Sequence, residues 1–162
     1  MSLNKIFKNY YLETTLILII FFLDRISKLF VIHQDKLNFN SEIYSSKFLN
    51  IHLIWNEGIA FGLFSFNEDY LYNFLTFLIF IVIIFIILMI RKTDLLRKYA
   101  LLLVLGGALG NFSDRLIYRA VPDFIDFHVG NFHWFIFNVA DIFITLGIFF
   151  VIIIELSSKN RN

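Results

Sequence analysis

Residues 71–90 read LYNFLTFLIFIVIIFIILMI, and this stretch decides the fold class. It contains 20 consecutive residues without a charged side chain. A bilayer core about 30 Å thick is crossed by about 20 mostly apolar residues, because a helix rises 1.5 Å per residue. The stretch therefore predicts a membrane-spanning helix and argues against a water-soluble fold.

The rest of the chain shares this apolar character. Of its 162 residues, 59% are hydrophobic and 17% are charged, against about 45 to 50% and about 25% in an average soluble domain. One integral membrane domain over residues 1–162 is expected at this length. The absence of Cys excludes disulfides and thiolate chemistry. A net charge of +1 gives no reason to expect nucleic-acid binding.

Three further apolar stretches carry polar interruptions, and with residues 71–90 they predict four transmembrane helices. They lie at about residues 14–32, 99–117 and 135–154. No small-residue cleavage site follows the first stretch, so we expect a retained span rather than a signal peptide. Residues 48–55 alternate apolar and polar side chains and include β-branched and aromatic types, which predicts a short strand at the membrane interface.

The distribution of Lys and Arg predicts the orientation, because cytoplasmic loops are enriched in both residue types. They concentrate in the two tails and in the loop 91–98. Both termini and this loop are therefore expected in the cytoplasm. The segments at about residues 33–69 and 118–134 are expected on the extracytoplasmic side.

On this topology the polar residues of the spans fall at one depth, just beneath the outer interface. The three sets are Asp24 with Lys28, Asn111 with Asp114, and Asn138 with Asp141. An ionisable group near a helix centre costs roughly 2.5 to 3.5 kcal/mol on insertion scales, so their convergence indicates a functional site. The alternative is that these groups only hold the helices together. This alternative applies above all to Asn111 and Asp114, which would then be scaffolding around the site.

Helical spacing adds to this picture. Asp24 and Lys28 are four residues apart with the acid first, which is the favourable order for a helical ion pair. Gly106 and Gly110 form a GxxxG motif, and with Gly107 they predict close approach of a neighbouring helix.

A short connection can bring Asp123 back over Asp141, which lies one turn into the last span. Two carboxylates a few ångströms apart do not both ionise readily and tend to share a proton. A shared proton is the working state of an aspartic protease, so the pair is a candidate catalytic dyad. A solvated loop carboxylate is the alternative for Asp123, and it is the expectation for Asp126.

Other chemistries find less support. The four His residues show no metal-ligand spacing, so neither a metal nor any other cofactor is expected. Ser27 is adjacent to Lys28 and points to a different helix face, which argues against a Ser–Lys mechanism. The glycines at 106–110 lie in an apolar helix and lack the pattern of a phosphate-binding loop.

Five sequence blocks, taken in order, resemble the prolipoprotein signal peptidase family, also called signal peptidase II. They are DRISK at 24–28, NEGIAFG at 56–62, GGALGNFSDR at 106–115, VPDFID at 121–126 and FNVAD at 137–141. Each block alone is a weak signal. Their order within a chain of this length and hydrophobicity makes the resemblance specific, and it covers most of the chain.

The resemblance implies an aspartic endopeptidase of the bacterial inner membrane. Such an enzyme cleaves signal peptides from diacylglyceryl-modified prolipoproteins on the amino side of the lipidated Cys. Its partners would be that precursor and membrane lipid, and a monomer is expected. By motif position, Asp123 and Asp141 would be the catalytic pair. The substrate-binding or supporting residues would be Asp24, Lys28, Asn56, Asn111, Asp114, Arg115 and Asn138.

The implied fold is an all-α membrane protein with four transmembrane helices, a small extracytoplasmic β-cradle and an interfacial helix. Residues 48–55 would belong to the cradle and residues near 61–69 to a mobile cover. Two positions depart from the family pattern. Pro122 stands where Val is usual, and it fixes φ and removes an N–H beside Asp123. Ile142 stands where a small hydroxyl residue is usual.

Two other functions remain open on the residues alone. One is a small proton-coupled transporter that uses Asp24, Asp114 or Asp141 as a proton relay. The other is an assembly subunit that binds a partner helix through its GxxxG face. The second explains Gly106 and Gly110 but not the meeting of carboxylates at one depth.

Overall fold

The computed structural model describes residues 3–37, 42–58 and 68–159. Four helices and four strands lie within these residues. In order they are α1 Leu3–Leu37, β1 Tyr44–Ser45, β2 Leu49–Asn56, α2 Glu68–Ile90, α3 Leu95–Tyr118, β3 Val121–Val129, β4 Phe132–Phe137 and α4 Val139–Lys159.

Three of the helices, α2, α3 and α4, are long and apolar enough to cross a membrane. Helix α2 presents large apolar side chains to its surroundings, including Phe74, Phe77 and Phe85, as expected of a surface that faces lipid. Helix α1 is longer, but Asp24, Arg25 and Lys28 interrupt its apolar run. The architecture is therefore mostly helical with three candidate spans, and a crossing by α1 stays a prediction.

A four-stranded antiparallel sheet connects the helices, in the order β1-β2-β3-β4. The strand predicted at residues 48–55 is confirmed as β2. The span predicted at 135–154 is wrong at its start, because Phe132–Phe137 pairs with β3 as strand β4. A run of aromatic residues does not by itself distinguish a strand from the start of a helix.

The predicted interfacial helix has no counterpart among residues 3–37, 42–58 and 68–159, whose helices are the four named above. The mobile cover implied near residues 61–69 falls largely on residues 61–67, which lie outside the described residues. Residues 68 and 69 already belong to α2.

Helix α3 packs against each of the other three helices. Its small residues allow this contact. A Cβ added at Gly107 would lie 2.5 Å from the carbonyl oxygen of Ala140, and one at Gly110 would lie 2.5 Å from the Asp24 carboxylate. The close approach predicted from the GxxxG motif is therefore confirmed, and it is what brings polar side chains of α1, α3 and α4 within hydrogen-bonding distance.

Two ion pairs join the helix ends at one end of the bundle. Lys98 lies 2.9 Å from Glu13 of α1, and Arg97 lies 2.8 Å from Glu155 of α4. Asp94 caps α3 there by accepting a hydrogen bond from the Arg97 N–H. The sheet connects the opposite helix ends, so basic residues and sheet lie at opposite ends of the bundle.

Candidate active site

Lys28 lies at the centre of a buried polar network and is only 1% exposed. Its Nζ donates hydrogen bonds to Asp24 at 2.8 Å, to Asp114 at 2.7 Å and to the Asn111 side-chain oxygen at 2.8 Å. Three acceptors match the three donors of an ammonium group. The helical ion pair predicted from the spacing of Asp24 and Lys28 is therefore present, and α3 completes it.

Arg25 adds a second cation to this network by pairing with Asp114. The Ala140 N–H donates to Asp24 at 3.0 Å, which connects α4 to α1. Two buried carboxylates thus face two cations, as burial of charge requires. A proton relay needs acids that exchange protons with water, so this closed arrangement lends no support to the transporter alternative.

Asn111 connects Lys28 to Asp141, one of the two candidate catalytic residues. While its side-chain oxygen accepts from Lys28, its amide nitrogen donates to Asp141 at 2.8 Å. The hydrogen bond from Lys28 fixes which end of the amide faces Asp141, because an ammonium group only donates. Asn111 therefore presents a donor to that carboxylate.

Asn138 precedes α4 and forms a reciprocal cap with Asp141. The Asp141 N–H donates to the Asn138 side-chain oxygen at 3.2 Å, and the Asn138 N–H donates to the Asp141 carboxylate at 3.1 Å. This is the capping-box pattern, with Asp141 in the first turn of the helix. The positive end of the helix dipole favours negative charge at that position.

The same Asn138 joins the two candidate catalytic residues. Its side-chain amide donates to Asp123 at 2.6 Å while its oxygen and backbone hold Asp141. The close approach predicted for the two carboxylates is therefore supported by a residue that contacts both. Asp123 belongs to β3 rather than to a loop, and it is 4% exposed.

Asn56, at the end of β2, contacts the other side of Asp123. Its amide donates to the carboxylate at 2.8 Å, and its oxygen accepts the Gly58 N–H at 2.8 Å. Pairing of β2 with β3 produces this contact, since Ile54 lies opposite Asp123. Pro122 pairs with Trp55 in the same register, and β4 joins β3 only from Ile125 onward, so the strand accommodates the missing N–H.

Burial raises the pKa of Asp123 from the usual 3.8 to about 6, and the nearby negative charge of Asp141 acts in the same direction. Hydrogen bonds from Asn56 and Asn138 oppose the shift, because they stabilise the ionised carboxylate. An acid with a pKa near 6 retains its proton more readily than an ordinary Asp, which suits a proton donor.

The carboxylates of Asp123 and Asp141 line two different cavities. Asp123 lines a recess of about 440 Å³ together with Asn56 and Glu57. Asp141 lines a groove of about 450 Å³ whose other walls are mostly apolar or aromatic, including Phe137, Ile142 and Leu146. Each carboxylate therefore lines its own cavity, and Ile142 contributes to the apolar groove beside Asp141.

Arg115 is not brought to the dyad. Among the described residues it contacts neither carboxylate; its guanidinium lies beside Gly58 and 5.9 Å from the centre of the Tyr72 ring. Its Nε and one terminal nitrogen are buried and have no hydrogen-bond partner in the described part of the chain. The supporting role implied for Arg115 therefore stays a prediction.

The expectation of a solvated loop carboxylate is wrong for Asp126. It lies in β3, is 1% exposed and contacts His133 of β4. Sequence reasoning also gave no role to Arg25, since nothing in the sequence places it opposite Asp114. The contact of Asn138 with Asp141 could have been predicted from the sequence, because the two residues have the spacing of a capping box.

Comparison with known proteins gives the family of the chain. The family model described as signal peptidase (SPase) II matches residues 16–157. A protein of Pelagibacter ubique (strain HTCC1062) named lipoprotein signal peptidase is 51% identical over 160 residues, which is 98% of this chain and 96% of that one. Another lipoprotein signal peptidase, from Anaplasma phagocytophilum (strain HZ), is 38% identical over 86% of this chain and 88% of its own.

Solved structures share the fold. Two structures described as bacterial membrane enzymes superpose with TM-scores of 0.69 and 0.70, at 25% and 28% identity. The first covers 93% of this chain and 90% of its own, and the second covers 89% and 92%. The matched residues 16–157 include both carboxylates and every hydrogen-bonded side chain described at the dyad. The chain belongs to the signal peptidase II family, the family of lipoprotein signal peptidases.

Proposed function

We propose that this membrane protein is an aspartic endopeptidase that removes the signal peptide from diacylglyceryl-modified prolipoproteins, cutting on the amino side of the lipidated Cys. The observation that carries the proposal is the double contact of Asn138, which binds Asp123 through its side chain and Asp141 through its cap. Two carboxylates connected in this way suit acid–base catalysis of peptide hydrolysis.

The environments of the two residues favour different roles. Asp123 is the buried acid with the raised pKa, so it donates a proton to the scissile carbonyl oxygen. Asp141 lies in the first turn of α4 and accepts hydrogen bonds from Asn111 and the Asn138 N–H, so it acts as the carboxylate that takes a proton from water.

The water oxygen then attacks the carbonyl carbon, which gives a tetrahedral diol with a proton on Asp141 and a negative charge on Asp123. Collapse of the diol breaks the C–N bond. One diol proton returns to Asp123, and the proton on Asp141 moves to the leaving amine. Both carboxyl groups are then restored to their initial protonation states.

The position of the dyad suits a substrate that is held in the membrane. The dyad lies at the sheet end of the bundle, and the basic residues near Arg97 and Lys98 lie at the other. With basic residues on the cytoplasmic side, both termini lie in the cytoplasm and the dyad faces the extracytoplasmic side of the bacterial inner membrane. The apolar groove beside Asp141 would take the apolar part of the precursor, and a monomer suffices.

Cleavage of a diacylglyceryl-modified precursor, compared with its unlipidated form, tests the proposal. We expect the purified protein in detergent or vesicles to cleave the lipidated precursor on the amino side of the modified Cys, with kcat/KM higher by about 10-fold or more than for the unlipidated precursor. Mass spectrometry of both products identifies the bond. Equal cleavage of the two precursors, or cleavage elsewhere, would contradict the substrate class.

The pH dependence of cleavage tests the role of Asp123. If Asp123 donates the proton, kcat/KM falls as the pH rises through about 6, because the carboxyl group then loses its proton. In Asn56→Ala, a hydrogen bond that stabilises the ionised form is lost, so the pKa of Asp123 rises and this fall moves to higher pH. We also expect roughly 10-fold lower kcat from looser positioning of the carboxyl group.

The matched control for Asn56→Ala is Asn50→Ala. Asn50 is a buried amide on the same strand, but its side-chain oxygen accepts from Ser45 and lies away from the dyad. Its replacement is expected to leave the pH of the fall unchanged. A downward movement of the fall in Asn56→Ala would be inconsistent with Asp123 as the acid.

A further inference from the structure

A second cluster of chemically active side chains lies on the β3–β4 hairpin, apart from the dyad. Asp126 and His128 belong to β3, and His133 belongs to β4 directly opposite His128. One ligand atom from each of the three residues falls within 4.8 Å of the other two. The spacing of these residues along the chain predicts no metal site, because it is the pairing of β3 with β4 that brings His133 beside the other two.

The hydrogen bonding of this cluster is incomplete. The Asp126 carboxylate is 1% exposed, and among the described residues its hydrogen-bond partner is His133, whose Nδ1 lies 2.8 Å from one oxygen and 3.1 Å from the other. The Nδ1 atom of His128 is buried and has no partner in the described part of the chain. A buried carboxylate beside a half-exposed imidazole lacks a secure countercharge.

The arrangement is close to that required by a metal ion. The two imidazole rings are stacked with centres 5.0 Å apart and planes at 24°. Ligands at about 2.0 to 2.1 Å from a tetrahedral ion lie roughly 3.3 Å from one another. An ion between His133 and Asp126 would therefore widen their 2.8 Å contact slightly and replace the proton held between them.

We propose that Asp126, His128 and His133 form a binding site for Zn²⁺ or a chemically similar divalent transition-metal ion. Two imidazole nitrogens and one carboxylate oxygen are ligands that Zn²⁺ prefers, and a fourth position is left for water. His133 is half exposed, so the ion has access from the surface. Since the ligands lie on both strands, the bound ion crosslinks the hairpin and stabilises the pairing of β3 with β4.

The site is distinct from the dyad. Asp123, on the same strand as Asp126, hydrogen-bonds Asn56 and Asn138, whereas Asp126 contacts His133. No step of peptide hydrolysis requires the metal ion. Its effect is structural, and we expect it as a higher unfolding temperature of the folded protein in the presence of the ion.

Titration with Co²⁺ tests the proposal, because tetrahedral Co²⁺ absorbs visible light and reports its ligands. The full chain, without a polyhistidine tag and treated with a chelator, is titrated in detergent, and Zn²⁺ is then added as a competitor. We expect one Co²⁺ per chain, displaced by Zn²⁺, and a rise in unfolding temperature with either ion. In His128→Phe and His133→Asn the affinity for Co²⁺ should fall by at least about 10-fold. Loss of a residue that only supports a metal ligand already costs about 10-fold, and loss of a ligand costs more.

The matched control is His52→Asn. His52 is another histidine of the sheet with a buried Nδ1 that has no partner in the described part of the chain, but it lies outside the cluster. It should bind Co²⁺ like the unaltered chain. His128→Phe leaves the contact of Asp126 with His133 in place, so it tests metal binding even if His133→Asn does not fold. Absence of one-to-one binding, unchanged affinity in His128→Phe, or equal loss in His52→Asn would overturn the proposal.

Discussion

Replacement of either Asp123 or Asp141 with Asn is expected to abolish cleavage of a lipidated precursor, lowering kcat/KM by about 10³-fold or more. Asn cannot donate the carboxyl proton or accept a proton from water. The replacement keeps the size of the side chain and one of its two accepted hydrogen bonds. At position 123 the Asn oxygen still accepts from the Asn138 amide, whereas its NH2 group faces the Asn56 amide, which is also a donor. Single-turnover cleavage in detergent measures the effect on the chemical step.

Loss of activity in Asp123→Asn should not come from unfolding. Burial raises the pKa of Asp123 to about 6, whereas the unfolded chain has the usual value of 3.8. The folded state therefore binds the proton more tightly, and this contribution to stability is full below about pH 3.8 and is lost as the pH rises through about 6. At pH 7.5 the ionised carboxylate is unfavourable in its buried site, so a neutral Asn leaves the unfolding temperature unchanged or raises it.

The two measurements together separate chemistry from folding. Asn131→Asp serves as a control, since Asn131 lies in the exposed turn between β3 and β4, and its replacement should keep activity. Cleavage at the normal rate by either dyad variant would refute the proposed mechanism. Inactivity accompanied by a large fall in unfolding temperature at pH 7.5 would instead assign a structural role to that carboxylate.

Replacement of Lys28 with Met is expected to give the largest loss of stability, roughly 3 to 5 kcal/mol. Met has a similar length but leaves Asp24 and Asp114 buried with Arg25 as their remaining cation. Asn111 loses the donor that orients its amide toward Asp141, so cleavage should fall as well. Reversible unfolding in mixed micelles measures the stability, and cleavage at a temperature where the variant is folded measures the second effect.

Lys98→Met is the matched control for this variant. Lys98 also pairs with an acid of α1, but its side chain and that of Glu13 are partly exposed. A pair of this kind contributes about 0 to 1 kcal/mol. Similar losses of stability in Lys28→Met and Lys98→Met would contradict the inference that burial makes the loss of Lys28 costly. Restoration of stability in Lys28→Met by adding Asp24→Asn would support the charge-balance explanation.

The sequence was sufficient to predict the membrane class, the strand at residues 48–55 and the clustering of polar side chains from different helices. These features follow from apolar run length and helical spacing, which act locally. The pair of Asp24 with Lys28 was predicted for the same reason, because both residues lie on one helix. The predicted approach of Asp123 to Asp141 assumed a short connection between the third and fourth spans. In the structure the β3–β4 hairpin makes this connection, and Asn138 contacts both carboxylates.

The remaining features depend on contacts between distant elements. Asp126 was misassigned because its burial comes from strand register, in which Asn50 and Ile136 flank it on the two neighbouring strands. The contact of Arg25 with Asp114 requires the mutual rotation of α1 and α3, which spacing within either helix does not determine. The start of the last helix was predicted too early, at residue 135, because the aromatic residues before Asn138 suit an interfacial strand as well as a lipid-facing helix.

The double contact of Asn138 sets an unusual limit on which residues position 138 tolerates. Ser, Thr and Asp cap helices about as well as Asn does, so helix formation alone would permit any of them. Ionised Asp has no donor for Asp123, and a Ser or Thr hydroxyl would have to accept from the Asp141 N–H and donate to Asp123 through a single oxygen, whereas Asn138 uses separate atoms. Gln has both groups but is one methylene longer and is not a good cap. A library of all substitutions at this position should therefore recover Asn138 alone under selection for cleavage, but several capping residues under selection for folding.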